Sequence, residues 1–125
     1  MEQAQGSLSG ARILVVEDEY YLADDLARAL QRAGAEVVGP VGSIAEAEAA
    51  VDARGFDCAV LDMNLRGDAA LPVAERLEAA GIPFLIATGY DTRALPESLR
   101  EVPRVEKPFD VRRVVEALPQ LIDRR

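Results

Sequence analysis

The chain has 125 residues, half of them apolar, and carries 14 basic against 22 acidic side chains, which gives a formal net charge of −8. This length fits one domain with its own core, and the acidic balance argues against a nucleic-acid surface, which needs a basic face. The absence of histidine and the single cysteine remove the usual general base, the usual zinc ligands and any internal disulfide.

The start of the chain predicts a tail, a strand and a helix. Residues 1–10 are small and polar, and we expect them to form a flexible tail, with the folded domain over residues 11–125. The apolar run Ile13–Val16 predicts a buried strand. Apolar residues at helical spacing then predict a helix over residues 19–33, which stops at Gly34.

Residues 37–61 repeat this order. Val37–Val38 predicts a second short strand, and Ser43 with Glu46 predicts a capping box at the start of a second helix. The apolar run Cys58–Leu61 predicts a third strand, and like the first strand it ends abruptly in an acidic residue.

The second half of the chain continues the alternation with weaker signals. Pro96 interrupts residues 91–101, so we expect the fourth helix to be short or irregular. Pro103 is tolerated only at a sheet edge, which makes the last strand an edge strand. The remaining predicted elements are a loop at Met63–Ala70, a helix from Pro72 to Ala80, strands at Pro83–Ala87 and Val102–Val105, and a helix from Val111 whose end Pro119 disturbs.

The alternation of strands and helices predicts the architecture. Strands that are apolar throughout indicate a parallel sheet covered by helices on both faces. Right-handed crossovers then give a doubly wound α/β domain with five strands, and the order 2-1-3-4-5 makes strands one and three neighbours. In such sheets the functional site lies beyond the carboxyl ends of the strands.

Charged and hydroxyl residues follow four of the five predicted strands. Glu17 and Asp18 follow the first, Asp62 the third, Thr88 the fourth and Lys107 the fifth. Converging carboxylates repel each other unless a cation compensates, which predicts a Mg²⁺ site, with the lysine as a positive charge for a phosphoryl oxygen. Together these groups match phosphoryl transfer to an aspartate. Taken alone, the acidic pair is also typical of a helix N-terminus.

Four segments resemble, in order, the motifs of the receiver domain of two-component response regulators, the CheY-like family. The segments are ILVVEDE at 13–19, VLDMNLRGD at 60–68, IATGY at 86–90 and EKPF at 106–109. The resemblance covers the chain from about Ala11 to its C-terminus and implies a flavodoxin-like fold. IATGY is also similar to the Phe-Ala-Thr-Gly-Tyr motif of single-domain FAT GUY regulators, with Ile86 at the position of the phenylalanine.

The resemblance implies which residues carry the chemistry. Asp62 would accept a phosphoryl group from a histidine kinase or from a histidine phosphotransfer protein. Thr88 would donate a hydrogen bond to the phosphoryl oxygens and Lys107 would pair with them. The Lys107–Pro108 peptide bond is expected to be cis.

The resemblance also implies a set of Mg²⁺ ligands. Asp18 would bind the ion directly and Glu17 through a water molecule. Asp62 and the backbone carbonyl of Asn64 would complete the protein ligands.

One position departs from the family. Most receivers carry an aromatic residue three positions before the lysine, where this chain has Arg104. The family's usual coupling between the threonine and that aromatic residue therefore cannot operate. Tyr90, two residues after Thr88, is the predicted switch and is expected to change between exposed and packed states on phosphorylation.

The predicted function is a response regulator that signals by contact with a downstream protein and is not an enzyme, apart from Mg²⁺-dependent self-phosphorylation and slow autodephosphorylation. An alternative is the receiver domain of a larger regulator whose output module is absent from this chain. A phosphatase with an aspartyl-phosphate intermediate is disfavoured, because such enzymes carry an acid where this chain has Asn64. No apolar run spans a membrane and no secretory signal is present, so we expect a cytoplasmic protein without membrane or nucleic-acid partners.

Overall fold

Strands and helices alternate through residues 7–89 and 95–123, which the computed structural model describes. The strands are Arg12–Val16 (β1), Glu36–Val41 (β2), Cys58–Asp62 (β3), Asn64–Leu65 (β4), Asp68–Ala69 (β5), Phe84–Thr88 (β6) and Arg104–Glu106 (β7). The helices are Tyr20–Arg32 (α1), Ile44–Ala53 (α2), Leu71–Ala79 (α3) and Val111–Asp123 (α4), and a 3₁₀ turn covers Glu97–Leu99.

Five of these strands form one parallel sheet in the order β2-β1-β3-β6-β7. Because β6 and β7 are the fourth and fifth strands of the predicted sheet, the predicted doubly wound α/β class and the order 2-1-3-4-5 are confirmed. β4 and β5 form a separate antiparallel pair. This pair lies inside the segment Met63–Ala70, which the sequence predicted to be a loop.

The middle of the sheet is buried on both faces. Every residue of β3 and β6 is buried, and so is every residue of β1 after the first. Alternate side chains of β1 and β3 enter two apolar clusters, one shared with α2 and α3, the other with α1 and α4. Helices on both faces explain why these strands are apolar throughout and show no alternation of apolar and polar residues.

The edge strand β2 is longer than the predicted Val37–Val38 because it continues through Gly39 and Pro40, whose peptide bond is cis. Gly39 has φ +92°, and a Cβ there would lie 2.9 Å from the Val41 nitrogen and 3.1 Å from the Val15 carbonyl oxygen. Only glycine fits this close approach to β1. Proline is tolerated here because β2 is an edge strand.

In the described part of the segment between β6 and β7, residues 89 and 95–103, no α-helix is present, whereas residues 90–94 lie outside the described residues. Of the residues described there, Glu97–Leu99 form a 3₁₀ turn after Pro96. In contrast, α4 continues through Pro119 to Asp123, so the expectation that this proline disturbs the helix end is wrong. The buried Leu121 beyond it keeps the last turn packed on the core, and tertiary packing of this kind outweighs the poor helix propensity of proline.

The packed part of the chain includes Leu8, which precedes the predicted domain start at residue 11. Leu8 is 2% exposed, and its N–H donates a hydrogen bond to the Ala33 carbonyl at 2.9 Å. Residues 1–6 of the predicted tail lie outside the described residues. Among the helices described, none is long and apolar enough to cross a membrane.

Candidate functional site

The site lies where the three middle strands of the sheet end. Asp62 and Thr88 are the last residues of β3 and β6, and Glu17 directly follows β1. These three residues are 2–3% exposed and are the buried polar or charged residues of the described part of the chain. The parallel register brings them to the same sheet edge, since Val16 pairs with Leu61 and Asp62 with Ala87.

Three carboxylates converge at this edge. Glu17, Asp18 and Asp62 each offer an oxygen atom, and these atoms all lie within 4.8 Å of one another. Glu17 and Asp62 are buried, whereas Asp18 is exposed. The structure therefore brings together the three carboxylates that the sequence predicted as metal ligands.

Lys107 provides the positive charge of the site. Its Nζ lies 2.9 Å from Oδ2 of Asp62 and 3.1 Å from Oε1 of Glu17. Its backbone N–H donates to the Thr88 carbonyl at 2.8 Å, which fixes the residue beside the end of β6. The Lys107–Pro108 peptide bond is cis, as the resemblance implied.

Burial and neighbouring charges shift the pKa values of Glu17 and Lys107. Burial, the largest effect, and the charge of Asp62 raise the pKa of Glu17, whereas the N–H of Glu19 and the charge and hydrogen bond of Lys107 lower it, and the net result is a pKa of about 7. Burial lowers the pKa of Lys107, but the hydrogen bonds and charges of Asp62 and Glu17 outweigh burial and raise it above its usual value. A second cation would relieve the remaining repulsion between the carboxylates.

Each carboxylate also accepts a hydrogen bond from a backbone N–H. The donor to Glu17 is the N–H of Glu19 at 2.9 Å, and the donor to Asp62 is the N–H of Asn64 at 3.0 Å. Asp18 accepts from the N–H of Arg66 at 2.9 Å. None of these three backbone donors is predicted from the sequence, because every residue except proline carries the same N–H group. The one available signal is Gly67, since glycine commonly marks a turn.

Of the two remaining predicted residues, Asn64 and Tyr90, the structure describes only the first. Asn64 is half-buried in β4, and its Oδ1 accepts a hydrogen bond from the N–H of Gly67 at 3.0 Å. Tyr90, the predicted switch, lies outside the described residues.

Arg104 begins β7, at the position where most receivers carry an aromatic residue. Its Nη2 donates hydrogen bonds to the carbonyls of Arg100 and Val102, so the side chain ties the segment after the 3₁₀ turn to the edge strand. Its buried Nε has no hydrogen-bond partner among the described residues.

The donor set of the site fits Mg²⁺. This ion takes oxygen ligands, needs only one or two carboxylates from the protein and keeps positions for phosphoryl oxygens and water. Two buried carboxylates, an exposed third and the raised pKa of Glu17 are consistent with a site that holds a hard divalent cation.

Comparisons with known proteins agree with this geometry. The family model of the response regulator receiver domain matches residues 13–119. SdrG from Sphingomonas melonis Fr1 is 40% identical with a TM-score of 0.77, and the match covers 93% of this chain and 98% of that one. The response regulator TrrA from Thermotoga maritima, solved with Mg²⁺ and BeF, is 25% identical with a TM-score of 0.76, over 89% of this chain and 98% of that one.

Curated relatives are longer than this chain. The transcriptional regulatory protein TcrA of Mycobacterium tuberculosis is 42% identical over 88 residues, which are 69% of this chain and 34% of the relative. The swarming motility regulation protein RssB of Serratia marcescens is 37% identical over 117 residues, 90% of this chain and 50% of the relative. The chain thus spans a third to a half of their length. It belongs to the response regulator receiver domain family, a family of signalling domains that act in two-component systems with histidine kinases and other proteins.

Proposed function

We propose that this receiver accepts a phosphoryl group on Asp62 from a phosphorylated histidine of a kinase or phosphotransfer protein, and signals by contact with a downstream protein. The observation that carries the proposal is the setting of Asp62. Its carboxylate is buried at the end of β3, with the Asn64 N–H on one oxygen and the Lys107 Nζ on the other. We place the protein in the cytoplasm, where such kinases present their phosphohistidine.

The transfer step uses the Asp62 carboxylate as the nucleophile. One of its oxygens forms a bond to phosphorus while the bond between phosphorus and the partner's histidine nitrogen breaks, and the electron pair of that bond returns to the imidazole. Because Asp62 is 3% exposed, little water competes with the transfer. The Asn64 N–H holds the carboxylate in one orientation, which favours an in-line approach.

The other residues of the site would stabilise the negative charge of the phosphoryl oxygens. The Lys107 Nζ, placed on Asp62 before transfer, would then pair with a phosphoryl oxygen, and the Thr88 hydroxyl would donate to another. Glu17, Asp18 and Asp62, with the Asn64 carbonyl, would hold Mg²⁺. When bound, the ion supplies positive charge to the phosphoryl oxygens.

We assign the switch to Tyr90, because the arginine at the family's aromatic position is tied to backbone carbonyls. Phosphorylation is expected to change the environment of the tyrosine ring. The test is the NMR signal of Tyr90 with and without a beryllofluoride phosphoryl mimic, and unchanged signals would contradict the assignment.

A second candidate function is favoured by the length of the curated relatives, of which this chain spans a third to a half. In that case the domain serves as the input module of a larger regulator. The mass of the native protein distinguishes the two candidates.

Acetyl phosphate with Mg²⁺ tests the assignment of Asp62. Intact mass spectrometry is expected to show one labile phosphoryl group on the wild type and none on Asp62→Asn. The exposed Asp68 lies in the adjoining hairpin, so Asp68→Asn is a matched control that should still be labelled. Labelling of Asp62→Asn to the same extent as the wild type would overturn the assignment. Turnover of an external phosphate ester would favour a phosphatase instead.

A further inference from the structure

A short hairpin connects Asp62 to α3. Its strands β4 and β5 pair Asn64 with Ala69 and Leu65 with Asp68, so the turn between them has two residues. These residues have φ +54° (Arg66) and φ +87° (Gly67). Two successive positive φ angles of this size define a type I′ turn, the form that suits a two-residue hairpin.

The base of the hairpin is fixed to the sheet. The N–H of Met63 donates to the Ala87 carbonyl at 3.1 Å, and the N–H of Ala70 donates to the Met63 carbonyl at 2.8 Å. Leu65 is 1% exposed and belongs to the apolar cluster beneath the hairpin. The position of the turn relative to Asp62 is therefore set by the core.

The turn contacts a carboxylate from a different strand. The Arg66 N–H donates to Oδ2 of Asp18 at 2.9 Å, across 48 residues of sequence. At the base of the same hairpin, the Asn64 N–H donates to Oδ1 of Asp62 at 3.0 Å. One hairpin therefore holds two of the three carboxylates of the site, one by each of two backbone donors.

We propose that the Arg66–Gly67 turn is a positioning element for Asp18 in Mg²⁺ binding, a role that rests on the proposed function. Asp18 is exposed, and an exposed carboxylate samples several rotamers unless something holds it. A charge-assisted hydrogen bond to one oxygen fixes the side chain and leaves the second oxygen available for the ion. Outer partners that orient metal ligands in this way commonly contribute about 10–100-fold in affinity.

The test compares two glycines with the same conformational requirement. Gly67 has φ +87° and Gly81, at the end of α3, has φ +71°, and an added Cβ meets nothing within 4 Å at either position. Gly67→Val and Gly81→Val therefore introduce the same kind of backbone strain, but only the first change alters the turn beside Asp18. Mg²⁺ titration without a phosphodonor, followed by NMR, is expected to show affinity weakened about tenfold for Gly67→Val and unchanged for Gly81→Val. Equal affinities of the two variants would overturn the positioning role.

A second measurement, hydrogen exchange, tests the same hydrogen bond without a substitution in the turn. In metal-free protein, the Arg66 amide proton is expected to exchange slowly in the wild type and at least tenfold faster in Asp18→Ala, and equal exchange would overturn the proposal. This readout stands even if Gly67→Val fails to fold. If the wild-type protein binds no Mg²⁺, the metal site of the proposed function is itself refuted. If the wild type binds Mg²⁺ and Gly67→Val binds it with the same affinity, only the positioning role is refuted.

Discussion

The middle and the edges of the sheet contribute to the site in different ways. The middle strands β1, β3 and β6 are buried and end at the anionic and hydroxyl groups Glu17, Asp62 and Thr88. The edge strand β7 is half-exposed. Lys107 follows it and places its ammonium group in the site at the end of a long side chain that is 24% exposed.

This difference follows from what each charge requires. A buried carboxylate has lost its water and must meet fixed donors, so it is held by strands whose position is set by neighbours on both sides. A lysine carries its charge on a flexible stem and reaches the same place from an edge strand. The carboxylates therefore depend on the middle strands for their position, and the cation depends on an edge strand.

The first prediction compares the stability of the two regions. Leu61→Ala in β3 removes a side chain that is fully buried and is expected to lower the free energy of unfolding by about 3 kcal/mol. Val105→Ala in the half-exposed β7 should cost about 1 kcal/mol. Urea unfolding measures both values, and equal costs would remove the distinction between middle and edge.

The second prediction tests whether the edge takes part in the chemistry. Lys107→Ala removes the donor that lies 2.9 Å from Asp62, and the initial rate of phosphorylation by acetyl phosphate should fall about 100-fold. Arg113→Ala removes an exposed positive charge from α4 and serves as the control, with a rate close to that of the wild type. An unchanged rate for the lysine variant would confine the chemistry to the middle strands.

The third prediction concerns how protonation of the buried Glu17 affects the free energy of unfolding. Because burial raises the pKa of Glu17 from 4.5 to about 7, the folded chain keeps a proton between these pH values that the unfolded chain has released. Its stabilising effect is complete below pH 4.5 and is lost as the pH rises through 7. In EDTA, the free energy of unfolding should therefore fall from pH 5 to pH 7, and fall less in Glu17→Gln. Parallel pH profiles of the two proteins would contradict this account.

The smallest expected effect is at the start of the same edge strand, β7. Arg104→Ala removes hydrogen bonds to the carbonyls of Arg100 and Val102 but also removes a buried Nε without a described partner. The two changes partly cancel, so we expect a loss of stability of about 1 kcal/mol. Hydrogen exchange should increase at residues 97–103, and protection unchanged there would show that the arginine does not tie this segment to β7.

The sequence predicted the middle of the molecule better than its edges. Short continuous apolar runs such as Cys58–Leu61 are typical of buried strands, and the acids directly after them then lie at the carboxyl end of the sheet. With the order 2-1-3-4-5 of a doubly wound sheet, which makes strands one and three neighbours, this pattern predicts the convergence of Glu17, Asp18 and Asp62.

The features that the sequence did not predict depend on long-range packing. β2 continues through Gly39–Pro40 because β1 lies beside it, and α4 continues through Pro119 because its apolar face is covered. The hairpin at residues 64–69 was predicted to be a loop because its strands have two residues each, too few for any periodicity to appear.

The ion pair between Lys107 and Glu17 joins residues 90 positions apart in the sequence. No local segment, however well formed, contains both charges, so the site does not exist until β1, β3 and β7 have joined the same sheet. A nascent or partly folded chain that lacks β7 has carboxylates without their cation and, like the lysine variant, should accept a phosphoryl group far more slowly. If the proposed function holds, competence to receive a phosphoryl group is therefore a property of the completely folded chain, because the cation arrives only with β7.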